Sequence, residues 1–406
     1  MPTRIPVQTP ANREFALTPQ QRVNRISRSI RMADRHLRRH HTILNHQNFL
    51  GFAIWLGSIA GMIGMTALYF YNLVPAWSVI LVNAVFASLL HELEHDLIHS
   101  LYFKETWVEK MMMWGVWIFR LNTPSPFYRK KIHLLHHKDS GQVSDIEEQM
   151  IGNGMKWGLK RIITMLDQGL AFLINAHRVK KTAPKLKLGE MAKAAFPFTY
   201  MYQATSLLFI NGNLYLLIMP LVNPAFSAPA WFVQVMSVVN FLAVVIGLPN
   251  FIRQGALQIV SSSMHYFGDV NPDASVGLLE QCQVMTMRSW YMLPFQLFCF
   301  NFGSTHGIHH FIVNQPFYLR QLGAAYSHAA MKKYGVRFDD HPRQAGGRVV
   351  DREFVRNGRR RYRHGRSSVG ERHTGCKVRS APPPEDAMNP FHPSAPECTW
   401  PMIQSV

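Results

Sequence analysis

The sequence is poor in cysteine and in acidic residues. Its 406 residues include four cysteines, and no two of them form a Cys-x-x-Cys pair, so neither a disulfide framework nor a thiolate metal site is indicated. The 24 acidic residues are outnumbered by 43 lysines and arginines, which gives a formal net charge of +19. No nucleic-acid-binding motif accompanies this charge, and the basic segments flank apolar runs, so we expect no nucleic-acid partner.

Several other signals are missing. Residues 1–40 lack the apolar core of a secretory signal peptide. We therefore expect a basic cytoplasmic segment over 1–47, with an amphipathic helix around Gln20 to His40. The chain has no four-cysteine ferredoxin pattern and no His-Pro-Gly-Gly haem-binding element. Residues 344–406 combine low hydrophobicity with high charge and many prolines, a composition that predicts a disordered tail.

Long apolar runs dominate the remaining chain, which we treat as one membrane domain over 48–343. Phe49 to Tyr71 is nearly uncharged and long enough to cross a bilayer, and Ala76 to Leu90 follows after a short turn. Phe196 to Leu221 and Trp231 to Leu248 repeat this arrangement. The pattern predicts an all-α integral membrane protein with two transmembrane helical hairpins, which give four spans.

The distribution of positive charge predicts the orientation of these spans. Lysine and arginine are concentrated before the first hairpin, between the hairpins and near the C-terminus, whereas the turn inside each hairpin has none. The basic segments should therefore face the cytoplasm. Two shorter apolar stretches, Met111 to Phe119 and Ile162 to Ile174, cannot span a bilayer and are predicted to form interfacial helices.

Three histidine clusters stand at the ends of apolar segments. They read His91-Glu92-Leu93-Glu94-His95, His133-Leu134-Leu135-His136-His137 and His306-Gly307-Ile308-His309-His310. Histidines three or four residues apart lie on one face of a helix. Under the predicted topology all three clusters face the cytoplasm. Eight imidazoles exceed what one tetrahedral zinc ion can use, so the clusters predict a two-metal site in a cytoplasmic, histidine-rich cap.

Residues near the clusters add further candidates for this site. His99 lies one helical turn beyond His95 and is predicted to be a ligand or a hydrogen-bonding neighbour of one, and His265 follows the last apolar run and is a further predicted ligand. The carboxylates interpreted as acceptors that orient imidazoles are Glu92, Glu94, Asp96, Asp145 and Glu147, the last two being open to a simpler role as solvated groups. A di-iron carboxylate bundle is disfavoured, because the chain has only one Glu-x-x-His motif.

The three boxes, arranged around two transmembrane hairpins, resemble those of the membrane fatty acid desaturase superfamily, over roughly residues 50–340. The resemblance implies a non-haem di-iron enzyme that uses O2 and two electrons to oxidise an unactivated C–H bond. The box ligands that it implies are His91, His95, His133, His136, His137, His306, His309 and His310. The segment Met264-His265-Tyr266-Phe267-Gly268 looks like the further histidine element of the family. Some members carry an asparagine four residues before this histidine, where the present chain has Ser261.

The resemblance therefore predicts two iron ions as the cofactor and O2 as a co-substrate. Neutral imidazole suits iron, and an alkyl C–H bond offers no handle for acid–base chemistry. The predicted reaction introduces a double bond into a fatty acyl chain or acyl lipid. A hydroxylase or ketolase of the same superfamily, acting on an alkane, sterol or carotenoid, is an alternative, because the iron site would be alike. A non-redox zinc-binding membrane protein is the alternative from another class.

The predicted partners follow from the same considerations. The chain has no electron-donor motif, so an external donor is expected, either ferredoxin or cytochrome b5 with its reductase. The other partners are the lipid bilayer and the acyl-lipid substrate. We expect a multi-pass membrane protein with its active site on the cytoplasmic side.

Overall fold

Helices make up nearly all of the regular structure in a computed structural model of the chain. The structure describes residues 17–140, 145–153, 155, 158–182, 187–262, 264, 278–281, 283–286 and 289–339. The helices are α1 (Pro19–His40), α2 (Gln47–Phe70), α3 (Ala76–Ile98), α4 (Trp107–Arg120), α5 (Pro126–Asp139), α6 (Ile146–Met150), α7 (Leu159–Leu166), α8 (Gln168–Thr182), α9 (Leu188–Ala195), α10 (Phe198–Val222), α11 (Ala230–Leu242), α12 (Leu248–Ser261), α13 (Leu278–Gln281), α14 (Leu293–Phe298), α15 (Phe302–Phe311), α16 (Phe317–Leu322) and α17 (Ala324–Lys333). Within these described ranges, extended backbone pairs in one isolated bridge, between Val284 and Phe338.

Four helical stretches of the described chain are long and apolar enough to cross a membrane. They are α2, α3, α10 and the stretch Ala230–Ser261, in which a π-helical turn at Ala243–Gly247 joins α11 to α12. This confirms the predicted all-α fold with four spans. The second span, α3, continues beyond its predicted end at Leu90, and the fourth span, Ala230–Ser261, continues beyond its predicted end at Leu248. They do so because the polar side chains there are buried against other helices instead of facing lipid.

A buried hydrogen bond joins the second and fourth spans. The side-chain amide of Asn83 on α3 donates to the backbone carbonyl of Val245, 2.8 Å away. Val245 lies in the π-helical turn, where the widened backbone leaves the carbonyl available to a side chain. The second and fourth spans run in the same direction. This contact therefore fixes which residues of α12 lie beside which residues of α3.

The first hairpin is held together by close packing of small and large residues. Gly61 of α2 lies against the ring of Phe86 on α3, and Gly51 lies against the ring of Tyr102. Met62 and Leu90 belong to the hydrophobic cluster that continues from this hairpin into α4. The cluster supports the histidine-bearing end of α3 from the apolar side.

The N-terminal helix covers the helix that carries the third histidine box. Thr18 caps α1 through a hydrogen bond to the third residue of the helix. The apolar stripe of the helix, which includes Ile26 and Ile30, packs in one cluster with Ile308 of α15. This confirms the amphipathic helix predicted around Gln20 to His40.

The two predicted interfacial segments differ in form. Met111 to Phe119 lies within α4, as a single helix. Ile162 to Ile174 is divided between α7 and α8, because Asp167 ends the first helix and its side chain accepts a hydrogen bond from the Leu170 amide at the start of the second. Their contact with a membrane surface stays a prediction, and the predicted tail lies outside the described residues.

Candidate metal centre

Three helices bring the histidine boxes to one place. His95 lies in the last turn of α3 and His99 directly follows that helix. The second box lies in the last turns of α5, and the third box fills the second half of α15. α15 starts from a sharp reversal, because Phe300 and Asn301 both adopt positive φ angles of 50° and 56°. The reversal turns the third box back toward the other two.

The first group of imidazoles consists of His95, His99, His133 and His309. One ring nitrogen from each of them lies within 4.8 Å of the others. Nε2 of His309 is 3.1 Å from Nε2 of His99. His137 adjoins this group, because its Nε2 lies 3.0 to 3.2 Å from Nε2 of His309, His133 and His99. All three boxes thus contribute to this group.

The second group consists of His136, His306 and His310. Their ligand atoms also lie within 4.8 Å of one another, and all three residues are buried. Nε2 of His306 is 2.9 Å from Nε2 of His310. The rings of His137 and His310 have centroids 4.9 Å apart, so the two groups are neighbours. The arrangement offers two adjacent positions to metal ions.

The distances between ring nitrogens suit a shared cation better than hydrogen bonds among imidazoles. A neutral imidazole has one N–H, so it can donate to only one of several nitrogens around it. Nε2 of His137 nevertheless lies within 3.2 Å of three other nitrogens. Two nitrogens bound at about 2.1 Å to one metal, and at a right angle, would lie about 3.0 Å apart. The observed distances of 2.9 to 3.2 Å match this separation.

The protonation of the imidazoles also favours metal binding. Burial lowers the pKa of His137 to about 2, helped by the charges of His133 and His136. Burial likewise lowers the pKa of His99 to about 3 and that of His309 well below its ordinary value. These three rings are therefore neutral at pH 7, which is the form that binds a metal.

Two carboxylates hold imidazoles of the second box. Oε2 of Glu147 lies 2.8 Å from Nδ1 of His133, and Oδ2 of Asp145 lies 2.7 Å from Nδ1 of His136. This confirms their predicted role as acceptors and leaves Nε2 of both rings to face the groups. Burial acts to lower the pKa of His136, but the Asp145 carboxylate outweighs it and raises the pKa to about 10. A metal that binds His136 must therefore displace a proton.

The predicted role of Asp96 as a direct acceptor from an imidazole is wrong. Its carboxylate instead accepts from Nη2 of Arg320 at 3.0 Å, from the Tyr102 hydroxyl at 2.8 Å and from the Phe317 amide at 2.8 Å. Nη1 of Arg320 lies 3.0 Å from Nδ1 of His309. Asp96 therefore positions the third box through an arginine that lies 224 residues away in the chain.

Glu92 and Glu94 also contact arginines instead of the predicted imidazoles. Glu94 forms ion pairs with Arg120 and Arg129. Oε2 of Glu92 lies 3.6 Å from Arg320. The physical reason is charge, because a fully buried carboxylate gains more from a guanidinium than from a neutral imidazole.

Buried arginines are the site residues that sequence reasoning missed. Arg120, Arg253 and Arg320 are each at most 1 % exposed. Arg253 carried a usable signal, because an arginine within an apolar span is expensive to bury and is usually functional. The predicted fourth span ends at Leu248, five residues before Arg253, and therefore leaves this arginine outside the apolar run.

One predicted ligand, His91, lies in neither group, and another, His265, lies outside the described residues. His91 lies one turn before His95, and its ring packs against Phe302 with centroids 5.4 Å apart. Neither ring nitrogen of His91 has a hydrogen-bond partner in the described part of the chain. His265 lies outside the described residues, although Ser261, at the position discussed above, ends α12. The ligand roles of His91 and His265 stay predictions.

Comparison with protein families gives a match that covers most of the described chain. The family model described as "Fatty acid desaturase" matches residues 71–342, which is more than half of the chain and includes all three histidine boxes. No curated protein matches the chain significantly. The four membrane-length helices and the histidine groups agree with the family match. The chain therefore belongs to the fatty acid desaturase family.

Proposed function

We propose that this protein is a membrane-bound, O2-dependent di-iron oxidoreductase that introduces a double bond into the acyl chain of a fatty acid or acyl lipid. The observation that carries the proposal is the pair of adjoining imidazole groups, drawn from three helices at one end of the membrane-length helices. Imidazole donors suit iron, and two adjacent metals can share the redox change of O2.

We assign the ligands by group. His95, His99, His133 and His309 would hold one iron, and His136, His306 and His310 would hold the other. His137 lies between the groups and is assigned as a ligand of the first. His91 and His265 are retained as proposed additional ligands, because both belong to motifs that resemble those of the family.

The reaction requires electrons and protons from outside the substrate. Two C–H bonds on neighbouring methylenes break and one C=C bond forms, while O2, two electrons and two protons leave with the two hydrogens as two molecules of water. Bound non-haem iron would supply the activation of O2 that an unactivated C–H bond requires. The protein residues have a different task. Glu147 and Asp145 orient His133 and His136, and burial excludes bulk water from the second group.

We further propose that residues 48–343 carry the activity and that the histidine groups face the cytoplasm. An external donor, ferredoxin or cytochrome b5 with its reductase, would supply the electrons. Hydroxylation or ketolation of an alkane, sterol or carotenoid is the runner-up reaction, because the same ligand groups would serve it. A non-redox zinc protein is disfavoured, because the first group together with His137 offers five imidazoles, which is more than the four ligands of a tetrahedral zinc site.

The test combines metal analysis with lipid analysis. The full chain, purified in detergent from an iron-supplied host, should contain about two irons, and host lipids should gain a double bond. His306→Ala should remove both the second iron and the product, whereas His177→Ala, a change at an exposed histidine outside the groups, should keep both. A new hydroxyl or carbonyl group in the lipids would support the runner-up. Zinc alone, after iron-replete anaerobic preparation, would contradict the proposal.

A further inference from the structure

The exposed face of α1 carries a row of arginines. The helix contains seven arginines and a single acidic residue, Asp34, which pairs with Arg38 at 3.1 Å. Five of the arginines are exposed, and we call them the arginine stripe: Arg25, Arg28, Arg31, Arg35 and Arg39. At about 3.6 residues per turn, they fall within an arc of about 120° and extend over about 21 Å of the helix. None of the five forms an ion pair within the described part of the chain.

The opposite face of α1 is already covered by the rest of the fold. Ile26 and Ile30 are fully buried and pack in one cluster with Ile308 of α15. An amphipathic helix that lies on a bilayer inserts its apolar face, and in α1 that face is occupied by protein. Met32 is the one large hydrophobic side chain of α1 that is exposed. The outer face of the helix is therefore suited to water and to a polar, anionic partner.

A chain of hydrogen bonds connects α1 to the first group of imidazoles. The side-chain amide of Gln315 donates to Oδ1 of Asp34 at 3.1 Å, and its backbone carbonyl accepts from Nη1 of Arg320 at 3.0 Å. The same Nη1 lies 3.0 Å from Nδ1 of His309. Because the axes of packed helices lie about 8 to 10 Å apart, the arginine stripe is one helix layer away from the third histidine box.

The proposed reaction needs a donor that can reach this side of the molecule. It consumes two electrons for each double bond, and the chain has no electron-donor motif of its own. A soluble donor that carries one electron must bind twice in each turnover, so its complex has to form and separate quickly. Electrostatic attraction suits such an encounter, because it raises the association rate without a large apolar interface. A row of unpaired arginines attracts a partner of negative charge.

We propose that the arginine stripe is the docking surface for an acidic electron-donor protein. Carboxylates of the donor pair with the exposed guanidinium groups, whose planar forks match a carboxylate in a bidentate manner. Each docked donor is oxidised by one electron, and two such events supply the two electrons that enter the proposed reaction with O2 and two protons. The delivery of electrons rests on the function proposed above, whereas the binding of an acidic protein does not.

Equilibrium binding to the full chain in a neutral detergent tests the docking surface. The probes are the soluble haem domain of a cytochrome b5 and a [2Fe–2S] ferredoxin, each selected for a net negative charge, with the basic protein cytochrome c as the counter-probe. We expect at least one acidic probe to bind and cytochrome c not to bind. Raising the salt from about 20 mM to about 200 mM should weaken the binding about tenfold. Binding of neither acidic probe, or binding that salt leaves unchanged, would overturn the proposal.

Charge-reversal variants then locate the site, since other basic segments of the chain also attract an acidic protein. The test variant reverses three charges of the stripe, Arg28→Glu, Arg35→Glu and Arg39→Glu. The matched control reverses three exposed lysines of α7, α8 and α9, Lys160→Glu, Lys181→Glu and Lys193→Glu. Both variants change the net charge equally. The test variant should bind the acidic probe at least about tenfold more weakly, and the control should stay within about twofold of the wild type. Equal losses would contradict the assignment to the stripe.

Turnover separates this proposal from the proposed function. With a protein donor as the electron source, the test variant should show a KM for the donor raised about tenfold and an unchanged KM for the acyl substrate. Turnover by this variant with the wild-type donor KM would refute the docking surface and leave the function standing. Salt-dependent binding at the stripe of a chain that forms no double bond would refute the function and leave the surface standing.

The lipid that remains on the purified protein tests the other anionic occupant of such a surface. Mass spectrometry compares the anionic lipid that co-purifies with the wild type and with the test variant. We expect equal amounts. If the test variant loses anionic lipid and still binds both acidic probes as the wild type does, the stripe contacts membrane headgroups and the proposal is overturned.

Discussion

At the scale of single residues, the imidazoles differ in what holds the ring nitrogen that faces away from the groups. His133 and His136 are each held by a carboxylate, and His309 adjoins an arginine that is itself fixed by Asp96. A carboxylate on Nδ1 fixes the ring and increases the basicity of Nε2. Metal affinity should therefore depend on residues that are not themselves ligands.

The change Asp145→Asn tests this dependence. Asparagine can still cap α6, where Asp145 accepts from the Glu148 amide, but it replaces a charged acceptor of His136 by a neutral one. We expect iron affinity of the second group to fall by about 10- to 100-fold, while the first group keeps its iron. Iron titration of purified protein measures this. Asp167→Asn, at another helix-capping aspartate, is the control, and equal iron binding by the two variants would contradict the argument.

His99 and His91 form a second matched pair, because each lies one turn from His95. Nε2 of His99 lies 3.1 Å from Nε2 of His309, whereas the ring of His91 faces Phe302. His99→Ala should therefore remove about one iron per chain, since it takes a donor from the first group. The loss from His91→Ala should be smaller. Elemental analysis of both variants decides between them, and a larger loss from His91→Ala would mean that the first box comprises His91 and His95, as the sequence suggested.

At the scale of elements, the apolar runs predicted the spans well, but not where they end. A hydropathy profile does not predict that Asp96, Arg253 and Gln258 are buried by other helices, because their burial depends on residues distant in sequence. The helices of the second and fourth spans therefore continue past the ends that the sequence predicted. The continuation matters, because it carries His95 and Arg253 into the interior.

Packing of the first hairpin leads to a prediction on stability. A methyl group added at Gly61 would overlap the ring of Phe86, so Gly61→Ala should destabilise the protein by about 1 to 3 kcal/mol. Gly57 and Gly64 lie on the same helix, and a methyl group added there meets no atom within 4 Å. Their alanine variants should be neutral or slightly stabilising, because alanine favours a helix. Thermal unfolding in detergent compares the three, and equal unfolding temperatures would show that Phe86 yields without cost.

At the scale of the whole molecule, the histidine spacing predicted a shared site, because histidines at i, i+3 and i, i+4 can be recognised from the local sequence and lie on one face of a helix. The sequence could not say which histidines meet. His133 and His136 are three residues apart, yet they belong to different groups, and His309 reaches the first group from about 170 residues away. The ion pair of Arg320 with Asp96 could not be predicted either, since no local sequence pattern indicates a contact between distant helices. The sequence thus predicted which histidines contribute to the site and that the three boxes meet, but it did not predict how the histidines divide into two groups.

The same long-range convergence would make a bound iron a structural link between helices as well as the proposed cofactor. The first group joins α3, α5 and α15, so a bound ion connects parts of the chain that are otherwise held by packing and arginine pairs. An ion that binds only the folded state should add about 2.7 kcal/mol of stability when free metal is about 100 times its dissociation constant. Chelation should therefore lower the unfolding temperature of the iron-loaded wild type, by an amount read from a thermal melt.

The histidine variants provide the control for this effect. His306→Ala disrupts only the second group, so its unfolding temperature should drop by less on chelation than that of the wild type. His177→Ala leaves both groups intact and should show the full wild-type drop. If chelation removes iron from the wild type without lowering its unfolding temperature, the ions do not link the helices. The two groups would then be preformed by packing and by the Asp96–Arg320 and Glu94–Arg120 pairs alone.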